Sequence, residues 1–306
     1  MATQLTNGAP VTVGATHVPV TDASFNPNVT TEAIRHSGLP FASSYVVPSV
    51  APALTFTTFF KTAYDLCGGF KLAKFDALRF YMRGYTDGSA TGDGDQWALK
   101  TNAEAFAHIT GVAPGVGGLM MASVQVFCLA GTLNGIEDIF ERTASTTIPT
   151  IAAEPTYHRI GPVSIEGAVV EGVNSISIST GNRVIPVTPN DGRVYARSLI
   201  YDGGERTIQI STDGARDTLE SLTARGIKID ATNCIVYLRE CDRNGVVLTG
   251  ANSGASITIA KGRIDPDALS QSVGSTNSTG FMVKATNQSL DQTDPFVTSF
   301  TATVPA

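Results

Sequence analysis

Apolar and polar residues alternate with a period of two through much of the chain. Ile176 and Ile178 flank Ser177, Ile208 and Ile210 flank Gln209, and Ile257 and Ile259 flank Thr258. A strand with one buried face has this pattern. It predicts strands over 174–180, 193–200, 206–211, 234–240, 255–260 and 280–286. No stretch shows the sustained 3.6-residue period of a long amphipathic helix. Two short helices are predicted instead. Thr62 and Asp65 precede Leu66 and Gly68-Gly69, and Asp217 and Glu220 precede Leu222 and Gly226. Each set reads as a capping side chain, an acidic residue three places on and a glycine stop. The second helix falls near 217–225.

The pattern repeats. Gly69-Phe70-Lys71-Leu72 matches Gly226-Ile227-Lys228-Ile229, and 70–88 aligns with 227–245 without a gap. The alignment sets Leu78 and Phe80 on Ile235 and Tyr237, and both copies end in a turn dipeptide, Asp87-Gly88 and Asn244-Gly245. Further on, Gly118-Leu119-Met120-Met121 resembles Gly280-Phe281-Met282-Val283, and Thr147-Ile148-Pro149 resembles Thr303-Val304-Pro305. Matches kept in one order argue for tandem duplication. The expected fold is mainly β: two tandem antiparallel β-sandwich domains, 1–150 and 151–306, each with one short flanking α-helix. The connector is placed at 146–162, which Pro149, Pro155 and Pro162 stiffen.

Composition sharpens this picture. Of 306 residues 42% are apolar and only 16% charged, below the usual quarter. Such a chain is expected to bury more surface than a monomer does. The net charge of −6 is shared evenly, with eight basic and eleven acidic residues in 1–150 and thirteen and sixteen in 151–306. No Lys/Arg run is present to neutralise phosphates, so any contact with DNA is expected to be non-adhesive. No apolar run is long enough to span a bilayer, and the first residues, Met1 to Asn7, lack the basic and apolar regions of a secretion signal. Cys67, Cys128, Cys234 and Cys241 form no CxxC pair and are expected to be buried free thiols.

Catalytic patterns are missing. His17, His36, His108 and His158 lie apart, with no HExxH, and there is no GxSxG elbow, P-loop or GxGxxG. Gly115-Val116-Gly117-Gly118 reads as a flexible loop. The Asp/Gly-rich run 87–95 could offer oxygen ligands to calcium, but it lacks the EF-hand's distal Glu and sits where a hairpin turns. Asn28-Val29-Thr30, Asn277-Ser278-Thr279 and Asn287-Gln288-Ser289 match the glycosylation pattern by chance if the chain is not secreted. Phe56, Phe59, Phe60 and Tyr64 read as core or subunit contact, for want of interleaved basic residues. The reading is of a non-enzyme with no catalytic residue, cofactor or metal site.

A resemblance gives this architecture a role. Val173-Asn174-Ser175-Ile176-Ser177-Ile178, Gly192-Arg193-Val194-Tyr195-Ala196-Arg197 and Arg206-Thr207-Ile208-Gln209-Ile210 come first. Ile235-Val236-Tyr237-Leu238-Arg239 and the segment from Ser256 to Lys261-Gly262-Arg263-Ile264 follow. This order of strands, short helix and "KG-x-I" strand end resembles the major tail tube proteins of siphophage-type bacteriophages. The resemblance covers 160–306 and reaches 15–150 through the internal repeat. It implies six-fold rings stacked into a hollow tube around a tape measure protein, with neighbouring sheets joined into a barrel lining the lumen. Two such folds per chain imply a homotrimer ring of pseudo-hexameric form. The implied partners are copies of the chain, the tape measure protein, and tail terminator and baseplate proteins. DNA would pass through the lumen on ejection without specific binding, and no membrane is involved. The implied location is the virion tail, after synthesis in the host cytoplasm.

Elementary physics fits that role. Open strand edges invite pairing, a closed ring satisfies them, and stacked rings are heterologous contacts that make open filaments. The segment Tyr85–Trp97 is expected to be a hairpin loop reaching the next ring. Wall charge would act only within the Debye length, about 8 Å at physiological salt. Other readings are a distal tail or baseplate hub protein, a two-domain adhesin, which needs a secretion route, and a β-scaffold enzyme such as a carbohydrate lyase, which needs converging carboxylates, His or Tyr. A major capsid protein needs a long spine helix, which the pattern lacks.

Overall fold

The computed structural model describes residues 10–34, 41, 44–86, 89–133, 138–150, 156–213, 230–242, 244–250, 252–266, 278–286 and 294–305. It is mostly β-sheet with one short helix. β1 (Val11–Val13) and β2 (Thr16–Val18) form a hairpin, followed by β3 (Asp22–Asn26). β4 (Val29–Ile34) and β5 (Ser44–Val50) make a two-stranded arm. β6 (Ala53–Phe59) runs straight into α1 (Phe60–Cys67). Then come β7 (Ala73–Phe75), β8 (Leu78–Thr86), β9 (Ser89–Leu99), β10 (Glu104–Pro114), β11 (Met120–Leu129) and β12 (Phe140–Thr147). A turn of 3-10 helix, Val116–Gly118, links β10 to β11.

The remainder opens with the hairpin β13 (Tyr157–Ile165) and β14 (Ala168–Val170), then β15 (Val173–Ser179). A second arm, β16 (Arg183–Val187) with β17 (Ser198–Asp202), precedes β18 (Thr207–Asp213). β19 (Asp230–Cys241), β20 (Gly254–Pro266), β21 (Ser278–Ala285) and β22 (Phe296–Ala302) complete the chain.

Strand pairings in the two halves run in the same order. β1 pairs with β2 and β8, as β13 pairs with β14 and β19. β3–β6–β11 is matched by β15–β18–β21. β8–β9–β12 is matched by β19–β20–β22. The halves differ in continuity: β7 and β8, like β9 and β10, are separate, whereas β19 runs unbroken for 12 residues and β20 for 13, the latter pairing with β19, β21 and β22. Asp138 accepts from the Phe140 N–H at 3.1 Å and Asp294 from the Phe296 N–H at 3.0 Å, so one side-chain turn introduces both β12 and β22.

One 13-stranded sheet runs through both halves, because β10 pairs with β15. A 5-stranded sheet, β12-β9-β8-β1-β2, packs on it. Phe25 of β3 stacks on Phe80 of β8 at 4.9 Å and meets Phe140 of β12 edge-on at 5.3 Å. Across the halves, Phe70, which follows α1, meets Phe296 of β22 at 5.4 Å. The buried residues of both halves form one continuous cluster.

Several details depart from the sequence reading. Thr62 lies inside α1 and caps nothing; Phe59 holds the N-cap with no side-chain bond. Burial of Phe60, Ala63 and Cys67 places the helix, and packing outweighs a cap of about 1 kcal/mol. The glycine stop holds: Gly68 is left-handed at φ +61. Residues 193–197 are not a strand; that strand begins at Ser198. Of the segment expected as a loop, 85–86 and 89–97 are strand, since Tyr85 pairs with Ala90 and Phe80 with Trp97. The buried face of β19 is Cys234, Val236 and Leu238, one residue out of step with the alignment through Ile235 and Tyr237. The helix expected near 217–225 lies outside the described residues.

Phe80→Ala should lower stability by ~3–5 kcal/mol through cavity formation. The exposed Val297→Ala should change it by less than about 0.5 kcal/mol. Urea denaturation of both variants checks this contrast.

Candidate assembly surfaces

The seam between the halves is short. Gly111 faces Ser179 and Val112 faces Ile178. A side chain at Gly111 would set its Cβ 3.1 Å from the Ile178 carbonyl oxygen, so glycine lets the strands approach.

A buried polar cluster reinforces this seam. Arg206, 5% exposed, precedes β18 on the same side as Ile208 and Ile210. Its guanidinium donates to the Thr180 carbonyl, to Asn182 Oδ1 at 2.6 Å and to the Phe70 carbonyl at 2.9 Å, and lies 3.4 Å from Asp294. The Thr180 hydroxyl donates to the Ile109 carbonyl at 2.7 Å, and the Thr180 N–H to the Thr110 carbonyl at 3.2 Å. Residues 180–206 thus grip the backbone after α1 and along β10. A buried cation is tolerated only with such partners.

The edges of the main sheet are unequal. β15 is covered on both sides, by β18 and β10. β3, its counterpart, pairs only with β6 among the described residues. β19 covers β20 as far as Arg263, and Ile264 to Pro266 pair only with β21 there.

The face of this sheet turned away from the core is poor in charge. One row runs Asp22, Thr57, Ser123, Gly111, Ser179, Thr207, Lys284, Arg263 across eight paired strands. Charge sits only at its two ends. Lys284 and Arg263 each lie 2.9 Å from Asp265, whose carboxyl the Lys284 hydrogen bond holds below its ordinary range. Beside the seam this face dips into an open groove of about 640 Å³ lined by Phe59, Thr110, Pro114, Met121 and Ser177 among others.

The arms carry a run of exposed apolar residues. Val29, Tyr45, Val46 and Val47 stand out on β4–β5, and Ile185, Ile200 and Tyr201 on β16–β17. The arms meet at their bases, where Val50 donates its N–H to the Val194 carbonyl at 2.7 Å and Ser49 Oγ lies 3.1 Å from Thr188 Oγ1.

The residues weighed for chemistry remain dispersed. His17 bonds Thr12 at 2.8 Å, His108 and His158 are buried in different strands, and His36 lies outside the described residues. Asp95, from the run considered for calcium, is paired with Arg142 at 2.5 Å. Among the described residues no group of three or more His, Cys, Asp or Glu is placed to hold a metal. Phe56 and Phe60 are core, and Phe59 meets Tyr157 edge-on at 4.6 Å. Gly115 to Gly118 form the tight β10–β11 turn, with Gly117 and Gly118 left-handed. All four cysteines are buried and unpaired; burial raises the Cys67 and Cys234 thiols to about 12 and Cys128 further. No described helix is long and apolar enough to cross a membrane. No known family model and no curated protein matches the chain.

His158 lies where the halves meet. It packs against Phe300 at 5.7 Å, its Nδ1 has no partner, and Lys61 of α1 sits 4.8 Å from the same ring. Burial, helped by Lys61, lowers its pKa to about 4. The unfolded chain takes up this proton near 6.5, the ordinary value for histidine, and the folded chain only near 4. Stability is therefore fully present above pH 6.5 and is lost as pH falls toward 4, by roughly 3 kcal/mol from this group. His158→Gln should flatten that part of the profile, read as urea midpoints at pH 7 and 4.5. Equal pH dependence in both proteins would acquit His158.

Proposed function

We propose that the chain is a structural virion protein, the tube protein of a bacteriophage tail. In this reading it holds two tail-tube-like β-sandwich domains, 1–150 and 151–306. Three chains close into a pseudo-hexameric ring, and rings stack into a conduit for DNA ejection. One observation carries the reading: β10 of one half joins β15 of the other edge to edge, while β3, paired like β15, has no partner on its outer edge among the described residues. An open edge is a template for another strand, and β10, seated beside β15, is an example of what fits there. Repeating the same join between copies turns the sheet toward closure, which removes edges.

The arms supply the axial contact in this reading, in place of the 85–97 segment. Their apolar residues are too numerous on two thin ribbons to be explained as scattered surface side chains. The second layer and α1 lie outside the ring, where the circumference is longer, so the hydroxyl-bearing face lines the lumen. The tape measure protein and then DNA occupy that lumen, terminator and baseplate proteins close its ends, and neither catalysis nor a cofactor is required.

Negative-stain images of the concentrated protein should show rings or hollow tubes. A monomer at every concentration in sedimentation velocity would overturn the reading. Tyr45→Glu combined with Val46→Glu should leave rings but abolish tubes, seen in the same images.

A further inference from the structure

The seam inside the chain and the join it would form with a second copy can be compared residue by residue. A left-handed residue after each inner strand sets the alignment. Asn28, at φ 44, donates its N–H to Asn26 Oδ1 at 2.9 Å; Gly181, at φ 61, donates its N–H to Ser179 Oγ at 3.3 Å. Asn28 thus corresponds to Gly181, and counting back, Ala23 to Ile176. Ala23 pairs with Phe56 and Ile176 with Ile210, so Phe56 corresponds to Ile210. Pro27 then stands where Thr180 stands, Val29 where Asn182 stands, and Pro52 where Arg206 stands.

The three side chains that clamp the seam are therefore a proline, a valine and a proline in the first half. The fourth member survives without its partner. Asp138 matches Asp294 in its turn before the following strand, but it accepts from the Tyr195 hydroxyl at 3.3 Å instead of facing a guanidinium. The backbone ladder of the seam spans two residue pairs, and the clamp adds side-chain bonds beside it. Charge-assisted bonds from a guanidinium withdrawn from water are stronger than neutral ones. Pro27 and Pro52 have neither a side-chain donor nor an N–H to offer.

We propose that copies of this chain assemble through two unequal joints. The clamped seam within each chain stays shut, and the joint between the outer edge of β3 and the stretch Ile264 to Pro266 of a second copy's β20, which runs past the described part of β19, lacks the clamp and is the reversible one. This rests on the assembly reading above. Arg206 acts as a positioning residue, holding 180–182 against β10 and the backbone at Phe70. The single chain, with two modules already joined, is the unit that enters or leaves a ring.

Two measurements test this. Hydrogen exchange on the dilute chain should find the amides of 109–112 and 177–180 slower than the outward amides of 22–26. Arg206→Met should speed seam exchange by about tenfold or more, the scale of one charge-assisted bond lost. In the second measurement Pro27→Thr, Val29→Asn and Pro52→Arg are combined. Sedimentation velocity should find rings at an about tenfold lower concentration than the natural chain needs, the equivalent of one such bond gained. Rings from the natural chain with no gain from the graft, or seam amides as fast as those of β3, would overturn the two-joint proposal and leave the assembly reading standing. Absence of rings from the natural chain at any concentration, with a slow seam, would instead remove the assembly reading and with it the second joint. If Arg206→Met does not fold, the exchange comparison within the natural chain decides.

Discussion

Backbone amides and carbonyls at a strand edge need partners, and in this chain that need is met between Gly111-Val112 and Ile178-Ser179. An unpaired buried peptide group costs as much as a lost hydrogen bond. Joining the edges removes that cost and makes one sheet of two. The rest follows from the join. The core becomes continuous, because isoleucines of β15 and β18 extend the surface begun by Phe56, Val124 and Ile109. Arg206 becomes buried because it lies where the two halves close over it.

The halves have been fitted to different surroundings. In the first, residues 100–103 break the chain between β9 and β10, which belong to different sheets. In the second, β20 passes uninterrupted from β19 and β22 to β21. Gly254 and Gly262 sit along β20, and added Cβ atoms there would meet the Leu238 and Lys284 carbonyls at 2.2 and 2.7 Å. Glycine permits close backbone approach where a single strand serves several ladders.

Local features were legible in the sequence, and features made between distant residues were not. The isoleucine pairs of β15, β18 and β20 mark their strands because burial has period two. Gly68 marks the end of α1 because only glycine adopts its backbone conformation freely. Thr62 misled, since a capping pattern is short and the packing of Phe60 and Ala63 outweighs it. Asp/Gly richness misled over 89–97, where cross-strand pairing overrides turn composition. The gapless alignment at Leu78 misplaced β19 against β8 by one residue, which in a strand exchanges the faces. The seam left no local trace, as its partners are far apart in the chain. One clue to the clamp was present: Arg206 occupies the inward parity of Ile208 and Ile210, where a cation needs buried partners.

In the proposed tube, the outward row through Thr57, Ser123, Ser179 and Thr207 has a consequence for the DNA that would pass over it. Hydroxyl groups hold a film of water, yet they set up almost no long-range field. A polyanion sliding above such a film is neither trapped nor repelled along the middle of the row, and changing the ionic strength alters little there. In the proposed tube such a wall would work as a wet bearing whose friction is set by the exchange of water.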